Sequence, residues 1–124
     1  MKTIHTDSAP AALGPYSQAK AAAGLVFLSG QIGIDPKTGT LAGDTVEIQA
    51  EQIGKNIGAI LEAAGLTFDD VLKTTCFLAD IRDFAVFNAV YAKYFTSKPA
   101  RSCVAVKDLP AGALCEVEVI AEGK

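Results

Sequence analysis

Arg101-Ser102-Cys103-Val104-Ala105-Val106 and, beyond Leu109-Pro110, Leu114-Cys115-Glu116-Val117-Glu118-Val119-Ile120-Ala121 decide how this chain folds. Both stretches alternate with the two-residue period of a strand. In the first, Ser102, Val104 and Val106 share one face, and Arg101, Cys103 and Ala105 the other. In the second, Cys115, Val117, Val119 and Ala121 lie opposite Glu116, Glu118, Ile120 and Glu122. Read as an antiparallel hairpin centred near Leu109-Pro110, the two apolar sets meet across the ladder. That register sets Val104 beside Cys115, Cys103 beside Glu116 and Arg101 beside Glu118. A slip of two residues keeps the faces and changes the pairs.

Working outward, Leu25-Val26-Phe27-Leu28 before Ser29-Gly30-Gln31 is a continuous apolar run, suited to a strand covered on both faces. Ser17 to Ala22 reads as a short strand ahead of it, and Asp35-Pro36-Lys37-Thr38-Gly39 as a turn. Asp44 and Glu47 are spaced as a capping box, which predicts a helix start. Val46, Ala50, Ile53, Ile57, Leu61 and Ala64 then form one apolar stripe, and Gly65 supplies a left-handed stop. Val71 to Leu78 reads as a strand. A second helix is expected from about Asp83, with Phe84, Phe87, Tyr91 and Tyr94 or Phe95 inward. Ala9 to Tyr16, with two prolines and a glycine, is an irregular loop.

The order ββ-α-β-α-ββ predicts an α+β fold, an antiparallel or mixed sheet with both helices on one face. The strand at Leu25–Leu28 offers apolar side chains to both sides, so the helix-free face needs another cover. Half of the 124 residues are hydrophobic and mean hydropathy is +0.29, which is much apolar surface for one small domain, 1–124, to hide. A second copy of the chain is the expected cover.

Net charge is -3, from 11 Lys+Arg against 14 Asp+Glu. No nucleic acid and no membrane partner is expected from that balance, and no apolar stretch is long enough to span a bilayer. Cys76, Cys103 and Cys115 lack paired spacing and read as reduced cytoplasmic thiols. His5 is the sole histidine and stands in an unanchored N-terminal segment, so neither a metal site nor a Ser-His-Asp triad is expected. An anionic ligand therefore needs a local cation. The hairpin register puts Arg101 with Glu116 and Glu118 on the face away from the helices. Arg grips a carboxylate with two parallel hydrogen bonds, and a partly dehydrated Glu can carry a proton for water. The alternative is a solvated Arg–Glu pair of little energetic consequence.

Several motifs in order, from the first residues to the last, carry a resemblance. They are Ala9-Pro10, Gly14-Pro15-Tyr16-Ser17-Gln18, Ser29-Gly30-Gln31, Asn88 with Tyr91, Pro99-Ala100-Arg101-Ser102-Cys103-Val104, and Leu109-Pro110 leading to Glu116-Val117-Glu118. Together they resemble the RidA/YjgF/UK114 family, and most of all its reactive intermediate imine deaminase subgroup. The resemblance implies a chorismate-mutase-like α+β domain, assembled as a homotrimer around a central barrel, with active sites in clefts between adjacent subunits. It implies hydrolysis of 2-imino acids, released by pyridoxal-phosphate dehydratases, to 2-oxo acids and ammonia without a cofactor. By position, Arg101 corresponds to the residue that binds the substrate carboxylate, Glu116 to the one that activates water, and Tyr16 to the ring that closes the pocket. Gly30 corresponds to a backbone donor, and Asn88 and Cys103 to pocket residues, Cys103 through its main chain. The segment Thr96-Ser97-Lys98 is shorter than in familiar relatives, which bears on the pocket rim.

Read without the family, Tyr16 could simply pack on its prolines, Gly30 could mark a strand end, and Asn88 could be a structural amide. Cys76 and Cys115 read as core fillers, and Glu118 as a structural partner in the subunit interface. Two rival functions remain: a non-catalytic small-acid-binding or regulatory module, and a translation-inhibiting endoribonuclease. The acidic balance opposes the second.

Overall fold

The computed structural model describes residues 1–123, so the last residue of the expected domain lies outside it. Its strands are β1 (Lys2–Ile4), β2 (Ala19–Ala22), β3 (Leu25–Ile32), β4 (Ile34–Asp35), β5 (Thr40–Leu41), β6 (Val71–Leu78), β7 (Ala100–Ala105) and β8 (Cys115–Glu122). The helices α1 (Val46–Ala63) and α2 (Phe84–Tyr94) flank β6 in sequence. β4 and β5 close a small ribbon over the Asp35–Gly39 turn, where Gly39 takes φ 75°. The other six strands form one mixed sheet in the order β1-β2-β3-β8-β6-β7. This is the expected α+β arrangement, and among the described residues no helix is long and apolar enough to cross a membrane.

The closing strands do not form the expected hairpin. β8 runs antiparallel between β3 and β6, while β7 runs parallel to β6 at the sheet edge. The physical reason lies in α2. A helix between β6 and β7 supplies the crossover that parallel strands require, whereas a hairpin needs a tight loop. The connection after β7 instead contains a separate turn over Pro110–Gly112. β8, with Cys115, Val117, Val119 and Ala121 all buried, takes the central place its continuous apolar row favours.

Both helices cover one face. Ile53, Ile57, Ile60 and Leu61 of α1 are sealed against Val26, Leu28, Val117 and Val119 in a single core. Gly33 permits that approach, since a Cβ there would come 2.7 Å from the Gln49 carbonyl oxygen. Gln49, itself buried, donates to Gly43 O at 2.8 Å and accepts from Leu114 N at 2.8 Å, which ties α1 to the loops at both sides. Gly65 ends α1 at φ 75°, as its position implied.

Three local expectations change. The α1 cap is Thr45, whose side chain accepts from Ile48 N; the chain is already extended at Thr45, so Asp44 stands one residue outside. Phe84 is not inward but 37% exposed, because α2 buries Phe87 and Val90 instead. The N-terminal segment is anchored: Lys2–Ile4 pairs with β2, and Ile4 is in the core.

The other sheet face is uncovered in the single chain. Phe27 (44% exposed), Leu72 and Val104 (47%) present apolar side chains there or at its edges. The apolar excess of the composition thus has a location.

Candidate functional site

The site residues divide into two groups, and the sheet separates them. In the parallel register Arg101 lies beside Thr74 and Cys103 beside Cys76. Thr74 and Cys76 are fully buried under the helices, so Arg101 and Cys103 point to the helix side. Glu116 and Glu118 alternate with the buried Cys115, Val117 and Val119, so they point to the open side. The expectation of an arginine and two carboxylates on one face is therefore corrected, and its cause is the strand order: β7 pairs with β6, not with β8.

Arg101 is half-buried at the sheet edge. Its Nη1 donates to Asn88 Oδ1 at 2.7 Å, and its guanidinium carbon lies 4.6 Å from the Tyr91 ring centre and 5.5 Å from that of Phe84. Asn88 and Tyr91 stand one turn apart on α2, so both reach the same side chain. Among the described residues no carboxylate pairs with this guanidinium. An open cleft of about 610 Å³ lies against Arg101, Asn88 and Tyr91, with Lys98 and Pro99 at its rim. The short segment before Pro99 is held by Ser97 Oγ donating to Val71 O at 2.9 Å, and Lys98 adopts φ 52°. Burial pushes the Cys103 thiol up, with Arg101 opposing, so the thiol form prevails. Cys76 and Cys115 are sealed in the core, their thiols pushed up to about 12 by burial.

The second group surrounds a cleft of about 290 Å³ lined by Tyr16, Gly30, Ile32, Pro110 and Glu116. Glu116 is half-buried, and desolvation, with Glu118 adding, raises its carboxyl above the ordinary value. It lies against Gly30 so closely that a Cβ there would overlap Oε2 and stand 3.0 Å from Cδ. Only glycine leaves the carboxylate its place. Tyr16 is 57% exposed on the loop after Pro15. That loop is pinned from below by Gln18, which is buried, accepts from Thr6 N at 2.8 Å and donates to Pro10 O at 2.8 Å. Ser29 Oγ adds a 2.6 Å bond to Ser17 O.

The structure thus gathers Arg101 and Asn88 in one place, with Cys103 on the same face, and Tyr16, Gly30 and Glu116 in another. The supporting parts, Gln18, Thr74 and the stacking role of Tyr91, carried no assignment from sequence. The three-residue spacing of Asn88 and Tyr91 on a helix was the one available signal.

The arrangement can bind a small carboxylate at a cation and hold a partly dehydrated carboxylate beside an apolar cleft. The profile of the family described as endoribonuclease L-PSP matches residues 6–123. Proteins of the RidA/YjgF group match over nearly the whole chain. The chain belongs to this family. A 2-iminobutanoate/2-iminopropanoate deaminase of Salmonella typhimurium is 51% identical, covering 97% of this chain and 96% of that protein. AldR of Lactococcus lactis, named as a candidate regulator, is 54% identical over 100% of this chain and 99% of its own length. The crystal structure of Escherichia coli TdcF with bound serine superposes with TM-score 0.94 at 42% identity, covering all of both chains. The family fold and the two helices on a mixed sheet are thereby in agreement.

Proposed function

We propose that this member of the family is a 2-iminobutanoate/2-iminopropanoate deaminase, a hydrolase of the cytoplasm, formed by the single domain 1–124. Its working form is a homotrimer of chorismate-mutase-like subunits around a central barrel. Each site joins the Arg101 group of one copy to the Tyr16–Gly30–Glu116 group of its neighbour. The carrying observation is the half-buried Arg101, bonded to Asn88, unpaired with any carboxylate among the described residues, and facing an open cleft. An arginine so placed is free to take a small acid in two hydrogen bonds. The uncovered apolar sheet face supplies the driving force for association.

The chemistry needs little more. Arg101 fixes the substrate carboxylate, with the Gly30 main chain and Asn88 beside it. An imine carbon is already electrophilic, so a positioned water and a base suffice. Glu116 takes a proton as the water oxygen bonds to the carbon of the protonated imine, giving a neutral carbinolamine. It returns that proton to the nitrogen and takes the hydroxyl proton as the C–N bond breaks, so that ammonia leaves and a 2-oxo acid remains. Tyr16 closes the pocket, and Cys103 contributes its main chain. No step calls for a metal or cofactor.

With threonine dehydratase supplying the imine, the wild type should accelerate release of 2-oxobutanoate, and Arg101→Ala should lose that acceleration by about a hundredfold or more. Full activity in Arg101→Ala defeats the reading. The name of AldR favours one rival, a small-acid-binding regulator. That rival binds 2-oxobutanoate in calorimetry and shows no turnover in the coupled assay.

A further inference from the structure

Among the described residues no carboxylate pairs with Arg101 as one usually does to fix an arginine, so something else must hold its direction. Asn88 contributes one acceptor, at 2.7 Å, and is itself only half-buried. Phe84 lies 5.5 Å away and is partly exposed. Tyr91 is different. Phe95 stacks on its ring with centres 4.3 Å apart and planes 17° apart, and Phe87 flanks it at 5.9 Å. Its hydroxyl meets the Thr74 hydroxyl at 2.7 Å, and Thr74 is 0% exposed. Thr74 is also the residue beside Arg101 in the β6–β7 register. One buried hydroxyl on β6 therefore fixes the ring over which the neighbouring strand's guanidinium lies.

We infer that Tyr91, anchored through its hydroxyl to Thr74, is the positioning residue that aims the Arg101 guanidinium at a substrate carboxylate. A cation held over a ring face keeps its N–H groups at its edge, where a carboxylate binds them. Asn88 takes one of those donors, and Arg101 itself lines the cleft. An untethered arginine would spend binding energy on ordering its own side chain before it could clamp anything. Tyr91 removes that cost without touching the reacting atoms.

The inference rests on the proposed carboxylate-binding role of Arg101, and the test separates the two. Calorimetric binding of 2-oxobutanoate and the coupled assay are run on wild type, Arg101→Ala, Tyr91→Leu, Tyr91→Phe and Thr74→Val. Tyr91→Leu should raise both Kd and KM about tenfold, with kcat moving less than about twofold. Tyr91→Phe and Thr74→Val delete the same hydrogen bond, so each should weaken binding by a similar smaller factor. The double variant should be no worse than either. Melting temperature alone would register a purely structural role and leave Kd untouched. If Arg101→Ala abolishes binding while Tyr91→Phe and Thr74→Val both keep wild-type Kd and KM, the inference is overturned, whether or not Tyr91→Leu folds. If Arg101→Ala binds as tightly as wild type, the role of Arg101 itself falls, and this inference with it.

Discussion

Glu116 shows most clearly how burial makes one carboxylate costly to the fold. Burial and Glu118 raise its carboxyl in the folded chain, so between the unfolded and folded values the native state binds more protons than the unfolded one. Stability therefore falls as pH rises through that window, and the cost is complete above the folded value. Glu116→Gln keeps the shape and removes the charge. It should melt higher than wild type at pH 7 and equal to it at about pH 2.5, well below the ordinary carboxylate value, where the acid is neutral in both states. Calorimetric melting at the two pH values decides, and an unchanged melting point at pH 7 would show that the charge is not under strain. At this scale the sequence was informative for groups whose chemistry is distinctive. Arg101 and Glu116 were visible as an arginine and a carboxylate in strands of alternating pattern. Gln18 and Thr74 were not, because an amide or hydroxyl takes its role from whichever backbone or ring the fold brings to it.

At the scale of elements, the periodic patterns of α1 and β6 set their extents well, since each buries a regular face. The pairing of β7 failed, because alternation says which residues share a face and nothing about which strand is the neighbour. The informative feature was the α2 segment between β6 and β7, the crossover that parallel pairing demands. With that read, β7 goes to the edge and Arg101 to the helix side. Gln49 is a joint between elements that rests on one side chain. Gln49→Leu keeps the volume but leaves the Leu114 N–H without its acceptor. It should cost about 2 kcal/mol in urea unfolding with an unchanged slope. It should also loosen the connection that leads into β8. A loss below about 0.5 kcal/mol would mean water replaces the amide there.

For the whole molecule, composition pointed to a hidden apolar face and the structure puts it on the helix-free side of the sheet. What no single-chain pattern could convey is that Arg101 and Glu116 lie on opposite sides of that sheet, because face assignment depended on the strand order. This gives a sharp complementation test. Arg101→Ala and Glu116→Gln are each expected to be inactive alone. If they are unfolded together, mixed one to one and refolded, about a quarter of the inter-copy sites should receive both native residues by chance. Activity near that fraction in the coupled assay supports sites shared between copies. No recovery, with mixed assemblies demonstrated by mass, argues for a site within one chain.

The separation of guanidinium and glutamate by the thickness of a sheet has a consequence for how such a protein behaves in a cell. Under the proposed sharing of sites between copies, catalytic capacity is a property of encounter, and a correctly folded single chain is inert until it finds its siblings. In that arrangement dilution would act as an off switch that leaves the monomer's own hydrogen bonds in place.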